Sequence, residues 1–415
     1  MKVISSLILS SLIATAVPFV CVAETVTSSV PYSKEMTLAD VSEQVYQRLP
    51  GKLAETKYGQ LEQANRDLGN ALFAEPATAN LHLFSDAIGS SNGYQEWESS
   101  VDLPLWLPGQ KQQQQSLSDK FAAELPAYQQ ALKLQAAGEV RQLIWQVKLA
   151  EAEVEQAKQL WETAKKLLND VDSRVKAGDL ASTERLLASS NSLSAHSTLL
   201  DAESRLQSQL KLYQLITGLS ALPTDIEETA QVNATLPETH PKLALQEQII
   251  QRLQAQVGLA QYDGAINPNL SVGVKRDRGD RQESYTNSIG VGVSLAFNDK
   301  AHRQPAIARA SAELADAQVE QQTVYRELTS NLLNFQQRLL STQQQLRLIT
   351  EQNDTTQHYF KLQQRAFELG EINLVDLLRS QALANENSNQ KRLLEVQEKQ
   401  HLSQLNQAYG IGFTK

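Results

Sequence analysis

The sequence predicts a mainly α-helical chain with a small β part. It is built by duplicating one unit, a β-hairpin that feeds a very long α-helical hairpin. Three observations predict this. First, the stretch from Val101 to Gly218 repeats its punctuation from Val293 to Gly410 at a constant offset of 192 residues. At that offset Leu103 meets Leu295, Lys111 meets Arg303, Gln112 meets Gln304, Gly178 meets Gly370 and Leu186 meets Leu378. Identities are few, but unbroken spacing over so long a stretch is the signature of an internal repeat. Second, the runs 111–176 and 301–368 are almost clear of helix breakers, with Pro126, Gly138 and Pro305 the exceptions. Each is long enough for a helix of about 100 Å at 1.5 Å per residue. Third, short segments before each run alternate apolar and polar residues with period two, as strands do.

Taken in order, Met1-Lys2, a largely apolar run to Val22 and the small Ala23 read as a secretory signal peptide over 1–23. Cys21, the sole cysteine, falls inside it, and Phe19-Val20 before it is not the small-residue site that lipidation needs. The mature chain is therefore expected to use no disulfide. The first structural repeat covers 24–218. Thr37-Leu38-Ala39-Asp40 forms a capping box ahead of Leu38, Val41, Val45 and Leu49 at helical spacing. Pro50-Gly51 interrupts, and a second helix follows to the neighbourhood of Pro76.

A β-hairpin is expected over 79–107, turning at Gly89-Ser-Ser-Asn-Gly93, with Val101, Leu103 and Leu105 on one face. The long helix 111–176 stops at Gly178, a residue suited to the left-handed cap. The return helix 182–217 carries two heptad sets, Leu186/Leu193/Leu200 and Leu199/Leu206/Tyr213, of the kind coiled coils use. Residues 219–239 read as a linker.

The second repeat covers 240–415. His240-Pro241-Lys242-Leu243-Ala244 opens a helix and echoes Pro50-Gly51-Lys52-Leu53-Ala54. A second β-hairpin is expected over 268–298. Its last strand sets Ile289, Val291, Val293, Leu295 and Phe297 on one face and Gly290, Gly292, Ser294 and Ala296 on the other. A second long helix, 301–368, turns at Leu369-Gly370-Glu371 into a return helix, 374–409.

Composition narrows the function. A net charge of −9 counts against nucleic acid as partner. Mean hydropathy of −0.37 and 6% aromatics suit long exposed helices better than one compact core. No catalytic set appears. The six histidines are scattered without metal-ligand spacing, and Gly290-Val-Gly292 lies within a strand, not a phosphate loop. No enzyme activity, cofactor or metal site is expected.

Large apolar residues on one strand face and small ones on the other suit an outer-membrane barrel, whose strands need about 9–11 residues. A half-buried soluble sheet has the same pattern. Four strands cannot close a membrane barrel, because the smallest have about eight. An open edge in lipid leaves backbone groups unpaired at several kcal/mol each. Strands of this chain that cross a membrane must therefore share a barrel with other copies. A barrel above helices long enough to span a periplasm describes a duct.

Four motifs, in this order, carry a resemblance: Leu103-Pro104-Leu105-Trp106-Leu107-Pro108-Gly109-Gln110; His240-Pro241-x-Leu243; Asn267-Pro268-x-Leu270; and Leu369-Gly370-Glu371-Ile372-x-Leu374-x-Asp376-Leu377-Leu378. With them the chain resembles the TolC family of outer-membrane efflux ducts, in particular the branch serving heavy-metal and other RND-type tripartite exporters. The resemblance implies a homotrimer in the outer membrane, with a twelve-stranded barrel above a twelve-helix periplasmic tunnel. It implies docking of a periplasmic adaptor, linked to an inner-membrane pump, at the tip turns Gly178-Asp179-Leu180 and Gly370-Glu371-Ile372. It also implies a tip narrowed by carboxylates, for which Glu184 and Asp376 are the candidates, each six residues after its glycine. Three copies would make each position a ring of like charge that attracts cations and opposes closure.

Two departures stand out. Some members of the family carry a second acid where this chain has Arg379, and a basic residue where it has Ile372. Arg185 or Arg379 is the expected partner in the closing contacts. Two other readings stay open: a soluble periplasmic coiled-coil scaffold or adaptor, and the duct of a type I protein secretion system. Metal cations or drugs are the cargo that the branch suggests.

Overall fold

The structure, a computed structural model, describes residues 31–229, 235–297 and 300–413. The expected signal peptide, 1–23, lies outside the described residues, as does the middle of the expected linker. In chain order the elements are β1 (Tyr32–Ser33), α1 (Leu38–Arg48), α2 (Gly51–Asn70), β2 (Thr78–Ser85), β3 (Gln95–Pro104), α3 (Gln110–Ala177), α4 (Ser182–Thr217), β4 (Leu222–Pro223), α5 (Pro241–Ala260), β5 (Asn269–Arg278), β6 (Thr286–Ser294), α6 (Lys300–Glu368) and α7 (Leu374–Ala408). The series α2-β2-β3-α3-α4 recurs as α5-β5-β6-α6-α7.

The long helices have 68 and 69 residues, each about 100 Å. Their return helices, α4 and α7, have only 36 and 35 residues and cover the half nearest the turn. On the half nearest the sheet α2 packs on α3, and α5 packs between α3 and α6. The two hairpins meet along α3 and α7. Pro126 neither ends α3 nor divides it into two helices. It lies where α2 and α5 flank the helix: Tyr58 packs on Tyr128, and Arg252 pairs with Glu124 at 2.5 Å. That packing keeps the helix continuous through a residue with no N–H to give.

The main core sits at mid-height. There α1 lays Val41, Val45 and Tyr46 against Val140, Ile144 and Val147 of α3 and Leu206 and Tyr213 of α4. Thr37 caps α1, accepting from the Asp40 amide at 3.2 Å, and Asp40 accepts from the Thr37 amide at 3.1 Å. Beside this core Arg141, only 3% exposed, donates to Glu228 at 2.6 Å and to the Ile411 carbonyl at 2.8 Å. Its guanidinium also lies 4.4 Å from the centre of the Phe413 ring. Ser403 and Asn406 donate to the same carboxylate. One buried ion pair thus holds α3, the segment after α4 and the end of α7 together. Removing either partner would leave an uncompensated buried charge.

The four longer strands form one antiparallel sheet in the order β2-β3-β5-β6, so the β3–β5 pairing joins the repeats. Register aligns Ala79, Val101, Val272 and Val291 in one row across the sheet, and Leu81, Ser99, Val274 and Ile289 in the next. These rows form an apolar face. The intervening rows carry Asn80, Ser100, Gly273 and Gly290, then His82, Glu98, Lys275 and Ser288, which make the other face polar and small. Ile289, Val291 and Val293 are 82%, 70% and 64% exposed on the apolar face. Leu295 and Phe297, expected to continue that strand, do not. β6 ends at Ser294 because its partner β5 begins at Asn269, the residue opposite, and nothing remains for Leu295 to pair with. The outer edges of β2 and β6 have no neighbour within the described chain.

The His240-Pro241 pair explains itself at the junction of α5 and α7. His240 caps α5, its Nδ1 accepting from the Lys242 amide at 3.2 Å, and Pro241 takes the first helical turn. Gly410, at φ 79°, turns the chain over this pair, and a Cβ there would lie 2.7 Å from His240 Cδ2. The imidazole is 1% exposed, and burial pushes its pKa down to about 4 from 6.5. Below pH 6.5 the unfolded chain takes up this proton and the folded chain resists it. Stability is therefore full above pH 6.5 and falls as pH drops towards 4, by up to ~3 kcal/mol. His240→Asn keeps a good capping acceptor and removes the proton. Its melting temperature is expected to lose less than that of the wild type between pH 7 and pH 4; parallel losses would show that His240 is not the titrating group.

Candidate functional site

At the end remote from the sheet both long helices stop on a left-handed glycine. Gly178 has φ 88° and Gly370 has φ 78°. At each, two amides close the helix in the same pattern. Gly178 N donates to Val175 O at 3.1 Å and Asp179 N to Arg174 O at 2.8 Å. Gly370 N donates to Phe367 O at 3.1 Å and Glu371 N to Ala366 O at 2.9 Å. This six-to-one and five-to-two pairing satisfies the last carbonyls and needs a residue without a Cβ at the turn.

The two turns are not independent. Val171, Ala188, Phe367, Leu374 and Leu377 form a small buried core between the hairpins. Arg174 spans them too, donating to Phe367 O at 3.1 Å with its guanidinium 4.9 Å from the Phe367 ring centre. Of the six turn residues singled out from the sequence, Gly178, Asp179, Gly370 and Glu371 are exposed. Leu180 and Ile372 are instead half-buried and packed on this core, where they brace the turns. Leu369, 65% exposed just after α6, is an apolar tip residue that the sequence places in the turn but not among the docking candidates. Its place beside Gly370, seven residues after the exposed Leu362, was the available signal.

The four charged candidates pair unevenly. Arg379 donates to Asp376 at 3.3 Å on the same face of α7, and Asn373 caps that helix through the Asp376 amide at 2.9 Å. Arg185 reaches Asp172 on α3 at 3.5 Å. Asp172 also takes Lys176 at 2.6 Å, and that hydrogen bond holds its carboxyl below the usual range. Glu184 is half-exposed, and its Oε2 is shielded without a hydrogen-bond partner. Within one chain, then, Arg379 answers Asp376, whereas Arg185 answers Asp172 and not Glu184.

The heptads of α4 divide. Leu199, Leu206 and Tyr213 are buried at 6%, 2% and 1%, whereas Leu186, Leu193 and Leu200 are 66%, 67% and 53% exposed. The other outer helix, α6, exposes Val319, Leu333, Leu340, Leu348 and Leu362. α4 runs away from the tip and α6 runs towards it, so these apolar stripes flank the layer in opposite directions.

This arrangement of a half-barrel sheet over two tip-linked hairpins has relatives. A family model described as outer membrane efflux protein matches residues 235–411, nearly all of the second repeat. The match lies on the second repeat and covers less than half of the chain. The first repeat shares the architecture of the matched one. Among solved structures, CusC is 12% identical with a TM-score of 0.73, over 92% of this chain and 94% of that one. The Campylobacter jejuni CmeC outer membrane channel is 13% identical with a TM-score of 0.71, over 98% and 94%. The outer membrane protein VceC from Vibrio cholerae is 14% identical with a TM-score of 0.72, over 91% and 97%. At such identities these three carry the fold. A comparison with curated proteins found no match. The matching family model and the CmeC and VceC structures are those of outer membrane proteins.

A Cβ added at Gly178 or Gly370 would meet nothing within 4 Å, so any cost of substitution there is backbone strain alone. Gly178→Val or Gly370→Val should each destabilise by about 1–2 kcal/mol, and the Asn variants by clearly less. Thermal unfolding of the four variants checks this; equal losses for Val and Asn would mean that the left-handed turn is not what fixes the glycine.

Proposed function

We propose that three copies of this chain form a passive outer-membrane duct that conducts exported substrates from a periplasmic adaptor and an inner-membrane pump to the outside. The observation that carries this is the sheet: four strands, one continuous apolar face and two unpaired edges. In lipid each unpaired edge group costs several kcal/mol, so β6 of one copy must pair with β2 of the next. Two copies would make eight strands, a barrel whose interior side chains fill. Three make twelve, and the inward Gly273, Gly290 and Gly292 keep the passage clear. The antiparallel stripes on α4 and α6 cover each other between neighbouring copies in the same closure.

The exposed tip residues Gly178, Asp179, Leu369, Gly370 and Glu371 are the adaptor-docking surface, held in place by Leu180 and Ile372. The pump is of RND type and the cargo is a metal cation or a drug, readings supported by the branch resemblance. Glu184 and Asp376 line the narrow end as rings of three, and opening separates the tip helices on adaptor contact.

The test is assembly. Detergent-extracted protein should have the mass of a trimer by light scattering and conduct in planar bilayers, and Leu193→Glu with Leu200→Glu should abolish the trimer. Recovery of wild-type protein as a monomer in a salt-washed soluble fraction would favour the scaffold reading and defeat this one. For the rings, Glu184→Gln should shift the reversal potential away from cation selectivity more than Asp376→Asn, because Arg379 already offsets Asp376. Unchanged reversal potentials in both variants would remove the carboxylates from the conduction path.

A further inference from the structure

The apolar face of the sheet ends, away from the helices, in a feature that conduction does not use. Arg276 and Arg278 alternate with Lys275 and Asp277 on β5, so they share the outward face of Val272 and Val274. Both guanidinium groups lie over one ring, that of Tyr285, at 4.4 Å and 4.9 Å from its centre. The ring is fixed from below, its hydroxyl donating to Gln95 Oε1 at 2.6 Å, and Arg278 Nε donates to Gly93 O at 3.2 Å. On the opposite face Lys275 has a carboxylate, Glu96, at 2.8 Å. Among the described residues no carboxylate pairs with Arg276 or Arg278. Two like charges are thus held side by side on a π-face, with no carboxylate in direct contact with either among the described residues.

Next to them is a groove of about 450 Å³ on the same face. Leu81, Trp97, Val274 and Ile289 line it, with Arg276 and Asn287 at its rim, and Trp97 stands directly opposite Arg276 in the strand register. The chain passes from sheet to helices at the far end of every strand, so in an inserted barrel this rim lies at the outer leaflet. Trp and Tyr at that depth mark the boundary between acyl chains and headgroups.

We infer that this is a docking site for an outer-leaflet lipid with a phosphorylated headgroup. Its phosphate bridges Arg276 and Arg278, and one acyl chain lies in the groove beside Trp97. Guanidinium forks match phosphate oxygens two at a time, and an anion here relieves the repulsion between the two arginines. The apolar groove distinguishes a lipid from a free anion. Each copy carries one site, so an assembled barrel is ringed by them. The inference rests on the sheet spanning the outer membrane as proposed above.

The experiment is native mass spectrometry of the detergent-purified assembly titrated with lipid A, with dephosphorylated lipid A, and with inorganic phosphate. The wild type should retain lipid A in preference to the dephosphorylated form and should not retain inorganic phosphate. Arg276→Ala with Arg278→Ala should weaken lipid A retention roughly thirtyfold, the effect of two basic side chains at an anionic headgroup. Arg276→Lys with Arg278→Lys should lose only part of it, since charge remains and the paired hydrogen bonds do not. This second variant keeps the test sound if the alanine pair fails to assemble. Equal retention of both lipid forms, equal binding by wild type and variants, or saturation by inorganic phosphate alone would each overturn the inference. Conductance in phosphatidylcholine bilayers, measured alongside, separates the two readings. A conducting assembly without phosphate preference sinks this site only, whereas failure to insert sinks the duct.

Discussion

An unpaired strand edge in hydrocarbon is the constraint on which this architecture turns. Water satisfies an exposed edge at little cost, but lipid offers it no hydrogen-bond partner. The sheet of this chain has apolar residues where lipid would lie, and it stops at four strands with both edges bare. Neither fact is stable alone. A soluble protein would cover the apolar face with a helix, yet the helices here leave the sheet at one end and none packs across Ile289, Val291 or Val293. Closure by further copies removes both liabilities at once. It also explains why the repeat was duplicated within one chain: the β3–β5 pairing fixes the geometry that the β6–β2 pairing between chains then has to reproduce.

Below the sheet the same economy appears in the helices. α4 has two apolar sets, each repeating every seven residues and one residue apart in phase, and a single chain buries one of them. Leu199, Leu206 and Tyr213 meet α3 and α1, and Leu186, Leu193 and Leu200 are left outward. In the proposed trimer the second stripe faces the next copy. Between ring and tip, stiffness is concentrated at two places. One is the Arg141–Glu228 cluster at mid-height, where a buried charge is satisfied by three separate segments. The other is the Phe367 core, where Arg174 fastens the first hairpin to the second. The long helices between these points lack comparable buried clusters, apart from the small one at Ala157, Leu199 and Ala202.

What could be read from the sequence was whatever repeats or punctuates. The spacing of Gly178 and Gly370 gave the turns, because a left-handed cap is a local requirement that a single residue type meets. The alternation around Val291 gave the apolar face for the same reason. What could not be read depends on partners distant in the chain. Where β6 ends is decided by where β5 begins, so Leu295 and Phe297 looked like strand residues and are not. Which leucine heptad is buried depends on the side from which α3 approaches. Leu180 and Ile372 turn inward because Phe367 and Leu374 make a core there, and Arg141 finds Glu228 only after the chain has gone down α3 and back up α4. Such contacts leave no periodicity behind.

The two repeats have diverged most in how their tip acids are balanced. Glu184 and Asp376 are equivalent by position, one turn into their return helices, yet Asp376 has Arg379 three residues on and Glu184 has Leu187 there. Arg185, the nearest cation to Glu184 in sequence, is drawn back to α3 by Asp172. In a threefold assembly this gives one ring of acids with its countercharge built in and one without. Repulsion between like charges that approach an axis opposes closure, and an internal partner weakens it. In the proposed trimer the α4 ring would therefore hold the electrostatic strain of a closed tip, and the α7 ring would add acceptors with less of the cost. In the proposed duct the hairpin containing α4 would accordingly gain most from moving outward, and the Phe367 core, which binds Val171 and Ala188 of that hairpin to Leu374 and Leu377 of the other, is the contact such a movement would have to strain.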